Sequence, residues 1–134
     1  MTQEQKNLLL KDLCARFPYG VKLGFYASAT KQTYICTLLG LEPQEDEPVI
    51  AKTENGSFYM LLGNVKPYLF PLSSMTEEQE IEYDATFATI VYEDGRKDSV
   101  MTYKTFDWLN KNRFDYRDLI PMGLAIDATG LNIY

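Results

Sequence analysis

Hydrophobic and polar positions change their period several times along the chain, and each change marks an element. Near the N-terminus Leu9, Leu10, Leu13, Cys14 and Phe17 recur at helical offsets and define one apolar face. Thr2 and Gln5 form the Thr-x-x-Gln capping box that opens such a helix. Pro18 pushes Phe17 out of helical geometry, and Gly20 permits the turn that follows. The pattern therefore predicts a helix over Gln3–Arg16, with Cys14 on its buried side.

The period then falls to two. Val21, Leu23 and Phe25 alternate with Lys22, Gly24 and Tyr26, as in a half-buried strand. After the polar segment Ala27–Gln32, the run Thr33–Leu39 is apolar on both faces and reads as a central strand. Glu42, Glu45, Asp46 and Glu47, in a loop that also holds Pro43 and Pro48, read as a solvated turn. Val49–Thr53 and Ser57–Leu62 flank Asn55-Gly56, and Thr86–Tyr92 and Lys97–Tyr103 flank Asp94-Gly95. Both dipeptides predict tight hairpins, because their residues tolerate positive φ. Val65–Phe70 reads as a further short strand, with Pro67 placing it at an edge or bulge. Ser74-Met75-Thr76-Glu77 reads as a capping box opening a surface helix of about two turns, TEEQEIEY.

The most aromatic stretch is Thr105–Ala125, TFDWLNKNRFDYRDLIPMGLA. It reads as two short helices, the first capped by Thr105 and the second by Asp115, with Pro121 and Gly123 ending the latter. Trp108, the only tryptophan, is expected to be mostly buried. Leu124–Asp127 suggests a last short strand. Together these elements predict one α+β domain over residues 1–134. Its sheet is a small antiparallel meander or curled sheet of five to seven short strands, covered by three or four short helices.

Charge narrows the function classes. With 19 acidic and 13 basic residues the formal net charge is −6. Long-range steering then opposes polyanions, so direct binding to nucleic acid or an anionic membrane is not expected. No apolar run approaches the ~18 residues of a membrane span. The amide-rich N-terminus does not read as a secretory signal, which leads to a cytoplasmic expectation. The two cysteines, Cys14 and Cys36, read as buried free thiols.

Two segments, KPYLFPLSSMTEEQE (Lys66–Glu80) and TFDWLNKNRFDYRDLIPMGLA, carry a resemblance. They resemble an uncharacterised family of small proteins encoded in prophages and other mobile elements of anaerobic gut bacteria. Its patterns are K-P-Y-L-R-P-[LM]-S-S-M-T-E-E-E, F-D-W-L-N and F-D-Y-R-G-L-I followed by G-L-A. Phe17–Lys22, FPYGVK, approaches the family's L-P-Y-G-V-K opening. Phe70 stands where the family has Arg, and Asp118 where it has Gly. The resemblance implies a shared fold and a mobile-element setting, and it brings no catalytic residues.

The chemistry-bearing residues are sparse. Histidine is absent, which removes the usual general base, metal ligand and triad partner. Glu77, Glu78, Glu80, Glu82 and Asp84 lie on one exposed helix, not across the cleft that paired-carboxylate chemistry needs. No nucleotide, zinc or calcium motif occurs, so no cofactor or metal is expected and the chain does not read as an enzyme. One group could carry recognition: Trp108, Arg113, Tyr116 and Arg117, within a stretch that also holds Lys104 and Lys111. Its opposing charges (Asp107, Asp115, Asp118) also suit plain intramolecular packing. The expected function is a non-catalytic accessory role through a protein partner. The alternative is a nucleic-acid-related role, by direct binding through Lys104–Arg117 or by acidic mimicry using Glu42–Glu47 and Glu77–Asp84.

Overall fold

The computed structural model describes residues 1–134. Helix α1 spans Gln3–Arg16 and opens on the capping box, Thr2 and Gln5 each receiving the other's backbone N–H. Its buried stripe is Leu9, Asp12, Leu13 and Arg16. Cys14 and Phe17 are exposed, contrary to the apolar face read from the sequence. The stripe is rotated because a buried Asp12–Arg16 pair takes positions that hydrophobicity alone assigns to solvent.

Strands β1 (Lys22–Ala27), β2 (Gln32–Leu41), β3 (Val49–Thr53) and β4 (Gly56–Met60) follow as an antiparallel meander. Then come β5 (Val65–Pro71), helix α2 (Glu77–Asp84), β6 (Ala88–Val91), β7 (Lys97–Val100) and helix α3 (Tyr103–Lys111). Two-residue strands β8 (Phe114–Asp115) and β9 (Ile126–Asp127) complete the chain. The main sheet has the order β4-β3-β2-β1-β5-β8, with β9 also on β5, while β6 and β7 pair separately. The expected α+β class holds. The sheet is mixed, however, since β8 and β9 run parallel to β5.

Both hairpins form, the second at Asp94-Gly95 as expected and the first one residue early, since its loop is Glu54-Asn55 and Asn55 does not take positive φ. Thr53 pairs with Gly56, whose φ of +119° suits the turn exit, and Gly95 has φ +86° between β6 and β7. Strand β5 lies inside the sheet, not at an edge. It pairs with β1 through Val65–Pro67 and with β9 and β8 through Tyr68–Pro71, so the proline that lacks an N–H sits where β5 changes partners.

Two helix caps shift by a few residues. Thr76 with Gln79 caps α2, in place of Ser74, and Thr102 with Thr105 caps α3. Thr105 is instead the third helical residue and is fully buried. As expected, α2 buries none of its residues.

The second C-terminal helix does not form. Phe114 and Asp115 are drawn into the sheet beside Phe70 and Pro71, and Asp118 adopts φ +58°, outside helical geometry. Asp115 still caps, because its carboxylate accepts from the backbone N–H groups of Leu119 (2.9 Å) and Ile120 (2.8 Å), but it caps a turn.

The core lies between α1 and one face of the sheet. Leu9 and Leu13 pack in one cluster with Val21, Leu23, Leu38, Ala51 and Val65, closed by Leu119, Leu124 and Ala125. Burying such side chains contributes roughly 1.5–3 kcal/mol each.

Candidate interaction surface

Arg113, Tyr116 and Arg117 have intramolecular partners. Arg113 follows the end of α3 with φ +61°, a left-handed position that glycine usually fills. Its side chain accounts for the exception. Nε donates to Gly20 O (3.1 Å), Nη2 to Tyr19 O (3.4 Å), and the guanidinium lies 4.1 Å from the centre of the Tyr134 ring. Arg117 Nη1 donates to Asp12 Oδ1 at 2.7 Å, and its guanidinium lies 4.4 Å from the Tyr116 ring centre. Arg16 approaches the same ring at 5.3 Å. It donates from Nε to Asp12 Oδ2 (2.8 Å) and from Nη2 to Phe114 O (2.7 Å). The Tyr116 hydroxyl donates to Asn110 Oδ1 at 2.9 Å. This assembly locks α1, α3 and β8 together.

Trp108 is mostly buried, as expected, but it lies at the margin of the core and keeps a partly exposed edge. Its ring stacks on Phe114 with centroids 5.4 Å apart and planes 8° from parallel, and Tyr83 of α2 lies 5.6 Å away. Nε1 donates to Glu82 Oε2 at 3.3 Å, across an exposed gap between helices. Trp108 therefore bridges α2 to the core and does not form its centre.

Two groups are tuned toward neutrality, the Cys36 thiol in the core and the inward-turned hydroxyl of Tyr134, a residue that is itself 39% exposed. Burial pushes the Cys36 thiol up to about 11 although Lys22 pulls it down, and its Sγ donates weakly to Leu23 O at 3.5 Å. Burial likewise raises the Tyr134 hydroxyl to about 12, against the lowering effects of the Lys22 N–H and Arg113. That hydroxyl accepts from Lys22 N (2.9 Å) and donates to Tyr68 O (2.8 Å), linking β1 and β5 beyond their ladder.

The surface the sequence did not disclose lies at the other end of the sheet. Leu23 pairs with Cys36 and Phe25 with Tyr34; Leu38 pairs with Ala51, and Ala51 with Phe58. Paired residues point to one side and the alternation is two, so Phe25, Tyr34 and Phe58 continue the core face beyond the buried cluster. There the face is open: Tyr34 is 43% and Phe58 48% exposed. Ile35 (53%) and Tyr59 (56%) stand beside them on the opposite face. A groove of about 700 Å³ runs between the two hairpin ends, lined in part by Phe25, Tyr34, Thr53, Phe58 and Met60. The doubly apolar pattern of Thr33–Leu39 was the available signal. It marks a central strand, as expected, but one whose far end lacks a cover.

Compared with family models, curated proteins and solved structures, the chain matches none. No helix is long and apolar enough to cross a membrane.

Proposed function

We propose that this chain is a non-catalytic accessory protein that acts by binding another protein, in the phage or mobile-element setting that its resemblance suggests. The observation that carries the reading is the uncovered aromatic end of the sheet, where Tyr34 and Phe58 on one face, and Ile35 and Tyr59 on the other, are all more than two-fifths exposed. Clustered apolar side chains of this kind mark interaction sites on soluble domains, because water gains by their removal. Aromatic residues are also the types that dominate interface energetics. The internal engagement of Arg113 and Arg117 supports leaving direct nucleic-acid contact out of this reading.

Affinity capture of the tagged chain from its native host, with and without nuclease, tests it. A protein that is retained after nuclease but lost with Phe58→Ser plus Tyr59→Ser supports the reading. Unchanged capture by that variant, or capture abolished by nuclease, overturns it.

A further inference from the structure

We propose that the free edge of β4 receives an extended, basic segment of the partner as an added strand; this rests on the protein-binding reading above. Strand β4 ends the sheet order, and its five residues pair with β3 in unbroken register. Alternate backbone N–H and C=O groups of such an edge point outward with no partner in the sheet. Sheet edges are commonly guarded by a charged side chain, a proline or a bulge. The sequence of β4, Gly56-Ser57-Phe58-Tyr59-Met60, has no charge and no proline, and its pairing shows no bulge. The opposite edge, β8, offers only two residues. In the separate β6–β7 hairpin, β7 carries Lys97 and Asp98, and β6 (Ala88–Val91), though uncharged, is shorter than β4 and belongs to a sheet of only two strands.

The edge also has the means to select side chains. An added strand would point alternate residues to the two faces of the sheet. On one face they meet the groove beside Phe58, Tyr34 and Phe25, and on the other they meet Tyr59.

Charge decides what the strand belongs to. Glu42, Glu45, Asp46 and Glu47 surround Tyr59 at one end of β4, in a shallow hollow of about 440 Å³. None of the four is in an ion pair, since the three ion pairs of the chain use Asp12, Asp94, Arg16, Arg96 and Arg117. Glu54 lies in the hairpin loop at the other end, lining the groove. A second copy pairing antiparallel through β4 would set Glu54 of one chain against the acidic loop of the other, twice. Like charges so placed oppose pairing, and each copy already carries a net −6. A segment bearing Lys or Arg meets attraction at both ends. The acidic loop thus sets the sign of the partner, while the edge and the groove make the site.

The test uses a fluorescein-labelled peptide alternating lysine with valine. Its controls are the same peptide with glutamate in place of lysine, and one with a central proline. Anisotropy measures affinity, and amide hydrogen exchange reads where the peptide lies. The basic peptide is expected to bind and to slow exchange within Gly56–Met60. Affinity should fall at least about tenfold for the proline peptide, for Phe58→Lys, and for a variant with Glu42→Gln, Glu45→Gln, Asp46→Asn and Glu47→Gln. The loop variant changes no buried or ion-paired side chain. The one hydrogen bond it touches, from the Tyr59 hydroxyl to Glu42 Oε1, is long (3.5 Å) and can still form with Gln. The loop variant therefore keeps the test valid where an edge variant fails to fold. Equal binding of the acidic peptide, or protection elsewhere than β4, overturns the proposal. So does a dimer in sedimentation that Phe58→Lys abolishes, since the occupant is then a second copy. If the peptide fails while captured protein is still lost with Phe58→Ser plus Tyr59→Ser, strand addition falls and the binding reading stands. If capture is also unchanged, both fall.

Discussion

Arg117 donates to Asp12 Oδ1 at 2.7 Å across 105 residues of sequence, while Arg16 holds the other carboxylate oxygen at 2.8 Å. One carboxylate thus serves two guanidinium groups. The Asp12 and Arg16 side chains are fully buried, and that of Arg117 is 15% exposed. Removing the anion leaves two cations together with only Phe114 O and the Tyr116 ring to compensate them. Breaking a buried pair on one side costs about 3–5 kcal/mol, more than the pair itself contributes. Asp12→Asn is therefore expected to lower stability by about 3 kcal/mol in urea melts. Arg117→Leu should cost less, because its partner keeps Arg16. A loss below about 1 kcal/mol for Asp12→Asn would show that the cluster is hydrated and screened.

The two thiols should differ sharply in reactivity. Cys14 is exposed, whereas Cys36 is buried with its thiol raised to about 11, and the thiolate is the reactive form. In the native protein a disulfide reagent at about pH 8 should modify one thiol rapidly and the second only on the timescale of unfolding. Cys14→Ser should abolish the fast phase. A fast phase that persists in Cys14→Ser would place Cys36 in contact with solvent.

Elements fixed by neighbours in the chain were legible in the sequence, and those fixed by distant partners were not. The α1 capping box and the turns at Gly56 and Gly95 follow from residues within a few positions, and the structure has all three. By contrast, Phe114–Asp115 has a helical local pattern, but β5 supplies a strand partner from more than 40 residues away. The same distance problem affected the site. Arg113 and Arg117 look like part of a surface cluster until Tyr134 and Asp12 are brought to them. The openness of Phe58 and Tyr59 depends on β4 being last in the sheet, which no periodicity encodes.

Alkaline stability should depend on Tyr134. Its hydroxyl accepts from Lys22 N and donates to Tyr68 O, so the neutral form fits the fold. The folded value of about 12 lies above the ordinary 10.0, which means that the unfolded chain releases this proton first. The contribution is complete below pH 10 and is lost as pH rises through about 12. Tyr134→Phe should lower stability at neutral pH by about 1 kcal/mol, because water can partly replace the two lost hydrogen bonds at this 39%-exposed residue. It should also flatten the decline between pH 10 and 12 relative to wild type. Tyr19 and Tyr68 are raised too, so the difference between the two proteins is the measurement. Parallel curves would mean that Tyr134 titrates as it does in the unfolded chain.

Asp118 offers a substitution with a definite sign. It is exposed, has φ +58°, and its carboxylate makes no hydrogen bond or ion pair, unlike that of Asp115 three residues earlier. A left-handed conformation costs an L-residue roughly 1–2 kcal/mol, somewhat less for Asp, which tolerates it. Glycine relieves the strain but adds entropy to the unfolded chain, an opposing effect of about 0.4–1 kcal/mol. Asp118→Gly should thus be neutral to stabilising by about 0.5 kcal/mol. Asp118→Val, β-branched and poorly suited to positive φ, should lose about 1–2 kcal/mol. Urea melts of both variants give the comparison. The Val variant must fall below the Gly variant, because both remove the same unpaired carboxylate and the strain of Val at positive φ exceeds the unfolded-chain entropy that Gly adds. Equal stabilities would mean that residue 118 is not held at positive φ in solution.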